Sequence, residues 1–342
     1  MKGKKVLLSI SMLVSGREEM KKSLESLRYF KEALSCEIIL VDTGCNTAQR
    51  ALAEQYADKI VDFTWCNDFA AARNAGLKEA RGEWFLYLDD DEWFEDPKEI
   101  IAFFTSGEYK NYNSASYVVR SYIDLAGRFY NDSYPSRMCR IEPETMFIGK
   151  VHEYLTTYEP PRKEFSDFVH HYGYAWKDDE DRKKHTERNV APLLEMIEQY
   201  PADSRWTMQL VQEYLGNKQF EEAFQSSREW LEEKRYKINE VLVLPRYVGC
   251  IYAYALVALH TMERYEETEI WLKKALAEPV LQTDIMEPTR GFFYMAGARL
   301  YGTIKKDSLC RKYMRKYLDC YRRLKDNRKA LEMGADLITA TV

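Results

Sequence analysis

Several features are scarce in this 342-residue chain, and each scarcity excludes a class of function. Basic residues do not outnumber acidic ones. Fifty Lys+Arg stand against fifty-five Asp+Glu, a net charge of −5, whereas a general nucleic-acid binder carries a basic surplus. No apolar run is long enough to cross a bilayer; the longest, Ile251–Leu259, reaches about half of the ~20 residues a span needs. Seven cysteines, an odd number without Cys-x-x-Cys spacing, argue for a reducing compartment and against a zinc site. A glycine-rich phosphate loop is also missing, since only Ser15-Gly16-Arg17 follows the first apolar run. That run, Val6–Val14, is broken by Ser9 and Ser11 and has no small-residue cleavage site behind it, so it reads as a buried strand and not as a signal peptide. What remains is the expectation of a soluble cytoplasmic protein. With 46% hydrophobic and 31% charged residues it can bury a sizeable core.

The first third alternates strand-like and helix-like segments. Short apolar runs at Val6–Val14, Glu37–Val41, Lys59–Phe63 and Trp84–Leu88 are separated by helical spacing at Glu19–Ala33, Ala48–Tyr56 and Asp68–Ala80, the last with Asn67 or Asp68 placed to cap it. Continuous apolar runs between helices mark a mostly parallel sheet buried on both faces, so residues 1–110 read as doubly wound α/β. Strand signals at Ser116–Tyr122 and Val169–Tyr174 predict an α+β extension that completes the first domain and walls its cleft. From about Lys177 the pattern is helical throughout. Residues 203–233, 245–279 and 289–320 each read as a helix pair that loosely resembles a tetratricopeptide repeat, and such pairs must stack to bury a core. The expected division is an α/β domain over 1–176 and an all-α helical-repeat domain over 177–342.

In a parallel sheet, ligands bind outside the carboxyl ends of the strands. Ser11, Asp42 and Asp89-Asp90-Asp91-Glu92 end candidate strands here. Crowding acids at a sheet edge is costly unless a cation or hydrogen-bond donors compensate. Asp89 and Asp91, two apart, can both reach one hard cation, which would neutralise a diphosphate leaving group. The plainer reading is a solvated acidic turn, and the acids alone favour it.

The motif order tips the balance. Val41-Asp42-Thr43-Gly44, then Asn67-Asp68-Phe69-Ala70-Ala71-Ala72-Arg73-Asn74, then Gly82-Glu83-Trp84-Phe85-Leu86-Tyr87-Leu88-Asp89-Asp90-Asp91-Glu92 resembles a family 2 glycosyltransferase of GT-A fold. Gly149-Lys150-Val151-His152-Glu153 and His171-Tyr172-Gly173-Tyr174 are similar to a subgroup with a helical-repeat tail that includes enzymes glycosylating bacteriocin peptides. The resemblance covers roughly residues 6–190 by motif and the tail by architecture only.

The resemblance implies roles residue by residue. Asp42 contacts the base of a nucleotide sugar, most suitably uracil, whose ring N–H a carboxylate accepts; the competing reading is an Asx turn before Gly44. Ser11 and Glu18 line the nucleotide pocket, and Arg73 meets the diphosphate or braces the acidic turn. Asp89 and Asp91 form the acid-x-acid pair, Asp89 toward the ribose and Asp91 on the metal, while Asp90 joins the donor-binding set because three consecutive aspartates allow a one-residue slip. His171 completes a Mn²⁺ or Mg²⁺ site with Asp91, and His170 points to the opposite face if this segment is a strand. His152 touches the diphosphate or the acceptor. Glu153 is the general base of an inverting transfer, with Asp132 and Asp124 as competitors. His260 reads as a packing residue and His185 as solvated. The basic run Lys305–Lys329 reads as the wet face of a terminal helix or as a docking face for acidic peptide or anionic lipid.

The leading expectation is therefore a metal-dependent transferase moving a sugar from a nucleotide-diphosphate donor to a peptide, protein or saccharide acceptor. Its helical domain would position the acceptor or mediate homodimers, with no nucleic-acid partner and no transmembrane segment. Two alternatives are a non-catalytic interaction protein with a decayed first domain, and a nucleotidyltransferase. The joint presence of Asp42, Asp91, Glu153 and His171 speaks against the first, and the poor phosphate loop against the second.

Overall fold

A computed structural model of the chain describes residues 5–201, 203–234 and 245–324. It divides into two compact units, split between Arg182 and Lys183.

The amino-terminal unit begins β1 (Leu8–Val14), α1 (Met20–Ser26), α2 (Arg28–Ala33), β2 (Cys36–Asp42), α3 (Thr47–Ala53), β3 (Lys59–Asp62), α4 (Phe69–Leu77) and β4 (Trp84–Asp89). These strands run parallel in the order β3-β2-β1-β4. Every residue of β1 is buried, as a strand covered on both faces requires. The helix expected over Glu19–Ala33 is two helices. Leu27 N–H bonds to Leu24 O, a tighter turn that keeps Leu24, Leu27 and Phe30 on one fully buried face. Asp68, not Asn67, caps α4, accepting from Ala71 N–H at 2.8 Å. Gly76 lets α4 close on the sheet, since a Cβ there would stand 2.5 Å from Ser11 Oγ and 2.8 Å from Val41 Cγ2.

Beyond β4 come β5 (Glu92–Phe94), α5 (Lys98–Thr105), β6 (Ser114–Tyr122), β7 (Tyr130–Ser133) and β8 (Met138–Arg140). A short hairpin, β9 (Phe147–Ile148) with β10 (Tyr154–Leu155), and the long β11 (Arg162–His171) complete the unit. The extension does not form a separate layer; it lengthens the same sheet as β4-β8-β6-β11-β5, with β7 paired to β6. β8 runs antiparallel to β4 and β6, so the sheet is mixed past β4. This order brings β11 back beside β5, with His171 opposite Glu92, and so folds the expected cleft wall onto the acidic strand end.

The carboxyl-terminal unit is all helical: α6 (Asp179–Gln199, which crosses the unit boundary), α7 (Ser204–Gly216), α8 (Phe220–Glu229), α9 (Pro245–Thr261), α10 (Tyr265–Ala277), α11 (Glu287–Thr303) and α12 (Asp307–Leu324). The pairs α7/α8, α9/α10 and α11/α12 fall on the three segments read from the sequence. Their core includes Trp230, Ile251, Phe224 and Trp271, the last two edge to face at 5.5 Å. His260 packs at 5.5 Å from the Tyr265 ring, as expected. His185 is not solvated: its Nδ1 lies 3.9 Å from Glu213 Oε2, because α6 turns that side chain toward α7. α12 buries Cys320 and Leu324 and exposes Arg311, Lys312, Arg315 and Lys316; residues 325–329 of the basic run lie outside the described residues.

Candidate active site

β4 ends at Asp89 and the chain turns at once into β5, so the four consecutive acids stand where parallel strands release their carboxyl ends. Each acid has its own set of partners, and two arginines are shared between neighbours. Asp89 accepts from Arg73 Nη2 at 2.6 Å and from Arg137 Nη2 at 3.5 Å. Burial alone would push its carboxyl up, but these two guanidiniums outweigh burial and hold it far below the usual carboxylate range. Arg73 is itself buried on α4, and its Nε donates to Glu153. One guanidinium therefore joins Asp89 to Glu153, which reaches it from the loop between β9 and β10. The rings of Tyr87 and Phe147 underlie that guanidinium at 4.5 and 5.9 Å.

Asp90 faces the other way. Its Oδ2 accepts from Ser15 N–H at 2.7 Å, Ser15 Oγ at 3.1 Å and Gly16 N–H at 3.2 Å, holding the turn after β1. The donor-contact reading of Asp90 draws no support from that geometry. Asp91, 4% exposed, pairs with Arg17 through Oδ2, and His171 Nε2 lies 3.8 Å from the same oxygen. Ser121 Oγ and His171 Nδ1 are 3.0 Å apart, which fixes the ring. Burial lowers the His171 pKa and outweighs the nearby Asp91, which would raise it. Gly173 leaves this pocket open, because a Cβ there would collide with His171 Nε2 and come within 3.1 Å of Asp91 Oδ2. Glu92, fully buried, accepts from Arg137 Nη2 at 2.5 Å, and burial pushes it up to about 8 against the pull of Arg137.

The structure thus assembles Arg73, Asp89 and Glu153 into one chain of ion pairs, with Asp91 and His171 adjacent. His170 points away as expected, its Nδ1 2.7 Å from Tyr122 OH and its Nε2 2.8 Å from Glu95 Oε2. His152 precedes Glu153 with a left-handed backbone, φ 52°, an uncommon conformation for a non-glycine residue that recurs at functional loops. Ser11 requires correction. It lies in the middle of β1, which continues to Val14, and its hydroxyl packs against Gly76 of α4 instead of ending the strand. Glu18 is exposed in the turn before α1. Asp42 ends β2 as expected and makes the Asx turn: Oδ1 accepts from Gly44 N–H at 3.0 Å and Cys45 N–H at 2.8 Å, and Oδ2 from Arg50 Nη1 at 2.8 Å. Burial raises its pKa, but the Cys45 amide and Arg50 more than reverse this. Of the competing bases, Asp132 accepts from Arg120 Nε and Nη2, each at 2.9 Å, and Asp124 accepts from the amides of Arg128 and Phe129.

Sequence reasoning missed Arg17, Ser121 and Arg137, and gave Glu92 no role beyond its place in the acidic run. A charge count held the signal: one arginine, Arg73, could not balance four adjacent acids.

Among the described residues, no group of three or more His, Cys, Asp or Glu converges to hold an ion. Asp91 and His171 offer one carboxylate and one imidazole, a donor set that Mn²⁺ takes more readily than the oxygen-preferring Mg²⁺, with a diphosphate and water to complete the shell.

The model of Glycosyl transferase family 2 matches residues 14–148. The SPbeta prophage-derived glycosyltransferase SunS of Bacillus subtilis is 31% identical over 147 residues, 42% of this chain and 34% of that protein. A TPR repeat-containing protein of Synechococcus elongatus is 26% identical over 219 residues, 58% of this chain and 50% of that protein. The chain thus spans about half of one of these relatives and a third of the other. The structure of S. aureus TarS 1-349 covers 95% of this chain and 91% of its own at 12% identity and a TM-score of 0.40, a likeness too small to carry an argument about activity. No helix of the described residues is long and apolar enough to cross a membrane. The match to Glycosyl transferase family 2 lies within the amino-terminal α/β unit, over residues 14–148, and an all-helical region follows it.

Proposed function

We propose that the chain transfers a sugar from a nucleotide-diphosphate donor, a UDP-sugar, to a hydroxyl or thiol of a peptide, protein or saccharide, with inversion at the anomeric carbon and with Mn²⁺ or Mg²⁺ as cofactor. The observation that carries this reading is the chain Asp89–Arg73–Glu153, drawn from β4, α4 and the β9–β10 loop, next to Asp91 and His171 at the carboxyl edge of the sheet.

In this reading Glu153 takes the acceptor's proton as the acceptor atom bonds to the anomeric carbon. The bond from that carbon to the diphosphate oxygen breaks, and its electron pair leaves with the phosphate. Arg73, held by two carboxylates, keeps a fixed positive charge and spare N–H groups for that leaving group. A divalent ion on Asp91 and His171 would supply Lewis-acid neutralisation of the diphosphate. Asp89 faces the ribose, and Asp42 Oδ2 has a lone pair left for the uracil N–H. Glu18 borders the nucleotide from the turn after β1, and His152 meets the diphosphate or acceptor. The helical unit presents the acceptor or pairs two chains, and the protein works in the cytoplasm.

A donor-hydrolysis screen of nucleotide sugars, with and without Mn²⁺, tests the reading. Turnover of UDP-sugars that disappears in EDTA and returns with Mn²⁺ is the expected result. Undiminished turnover in excess EDTA would remove the cation, and silence with every nucleotide sugar would remove the activity.

A further inference from the structure

We propose that Arg17 gates the cation position: without ligand its guanidinium neutralises Asp91, and it leaves Asp91 for the donor's diphosphate when donor and cation arrive together. The inference rests on the metal-dependent reading above and assigns the order of events within it.

The geometry at Asp91 is one of competition. Arg17 Nη1 pairs with Asp91 Oδ2, the oxygen that also lies 3.8 Å from His171 Nε2. The Asp91 oxygen that faces His171 is thus the one the guanidinium occupies, so guanidinium and cation compete for it.

The backbone that carries Arg17 is fixed, and the side chain is not. Asp90 Oδ2 holds the amides of Ser15 and Gly16, and Gln49 Nε2 donates to Gly16 O from the other side. Gly16 has φ 84°, and any Cβ on it would collide with the Gln49 amide, so the turn has little freedom. The Arg17 side chain is 39% exposed, against 6% for that of Asp91. Only the guanidinium has room to move, and it can swing through the open side of the site.

Charge sets the direction of the swing. Arg17, Arg73 and Arg137 all reach the Asp89–Glu92 stretch. A bare dication entering with the three guanidiniums in place finds its carboxylate already neutralised and two further positive charges close by. A dication entering with a diphosphate brings its own negative charge, and that anion gives Arg17 a bidentate partner in exchange for Asp91. Cation and nucleotide therefore promote each other's binding, and the coupling is reciprocal. The same contact keeps Asp91 neutralised when no donor is bound, and favours a diphosphate over a monophosphate as the anion that opens the site.

The test is Mn²⁺ titration of the full chain, followed by the EPR signal of free Mn²⁺, with and without UDP and without any sugar or acceptor. Wild type should bind Mn²⁺ weakly alone and at least about tenfold more tightly with UDP. Arg17→Ala should bind Mn²⁺ alone about tenfold more tightly than wild type, and the further gain from UDP should be smaller than in wild type. Arg17→Gln, which keeps a long polar side chain without the charge, should behave the same way and serves if Arg17→Ala folds poorly. Wild-type Mn²⁺ binding that needs UDP, with no gain in either variant, would overturn the gate and leave the metal-dependent reading standing. No Mn²⁺ binding in any sample would overturn both.

Discussion

The same strands bury acids at both of their ends, and the two ends are built on opposite principles. At the amino end a single acid, Glu37 of β2, is 4% exposed and fully satisfied. Its Oε1 accepts from Ser9 Oγ at 2.6 Å and Arg81 N–H at 2.7 Å, and its Oε2 from Arg81 Nε and Nη2 at 2.8 and 2.5 Å. One carboxylate meets one guanidinium, and all partners come from the edges of β1, β2 and β4. At the carboxyl end four acids share three arginines drawn from residues 17, 73 and 137, and the fit is imperfect. Arg137 Nε is buried without a hydrogen-bond partner, Glu92 is pushed up to about 8, and Arg17 stays half-exposed over Asp91. A network that completes itself has no use for a ligand and serves stability. One left with mismatched charges is poised to take a charged ligand, and buried polar groups are kept in that state at functional sites.

The comparison breaks most sharply at Asp91. Asp91→Asn should lower transfer and donor hydrolysis on the order of 10⁴-fold and abolish the response to Mn²⁺, with the melting temperature close to wild type. Initial rates across a Mn²⁺ titration check it; Mn²⁺-stimulated turnover in the variant would take Asp91 out of the site. Glu153→Gln comes next. It keeps size and the contact with Arg73 but removes basicity, so transfer to a hydroxyl acceptor should fall by about 10²–10⁴ with UDP-sugar affinity unchanged. A thiol acceptor should lose less, because a thiol is partly ionised near neutral pH. Full transfer to a hydroxyl by the variant would move the base elsewhere.

The difference between the two ends also explains what the sequence made legible. The strands around Glu37 and Asp89 are continuous apolar runs, so β1, β2 and β4 fall within two residues of their expected limits, and Asp68 could be read as a cap because that bond is local. The helical pairs were legible for the same reason: their spacing is periodic. The carboxyl-end network was only half visible. Arg73 and Glu153 came from motifs, but Arg137 enters through β8, which pairs between β4 and β6 and has no periodic signal of its own. Arg17 was hidden because its partner depends on how the turn after β1 is pinned, and that pinning is done by Asp90, 75 residues from Ser15. Ser11 was misjudged because a polar residue in a buried strand looks like a strand end until the neighbouring helix, here Gly76 of α4, is known.

A smaller effect is expected at Asp42, which lies at the carboxyl end but is tied up like Glu37. Asp42→Ala removes a carboxylate that already serves Gly44, Cys45 and Arg50, so UDP binding should weaken about tenfold, the loss of one charge-assisted hydrogen bond. Calorimetry with UDP and with GDP separates the outcomes. An equal loss for both nucleotides means that only the turn was disturbed, and no loss for either removes Asp42 from the nucleotide pocket.

The smallest effect on activity belongs to the amino end, where the comparison predicts none. Glu37→Gln places an NH₂ group against the Arg81 donors, so the closed network is broken without touching the carboxyl-end acids. We expect kcat/KM within about twofold of wild type and a melting temperature lower by about 5 °C at pH 7. The pH dependence gives a second reading. Burial raises the Glu37 pKa, but Ser9 and Arg81 outweigh it and leave the folded value below the ordinary ~4.3. A depressed carboxylate contributes stability that is present above its unfolded pKa and is lost as pH falls through its folded pKa. The deficit of Glu37→Gln relative to wild type should therefore be constant from pH 7 to about 5 and shrink below about 4, as wild type loses the same interaction. Denaturant unfolding of both proteins across that range measures it. A deficit that stays constant into acid would mean that Glu37 acts by packing alone, and a large fall in kcat/KM would mean that the two ends of the sheet are not independent.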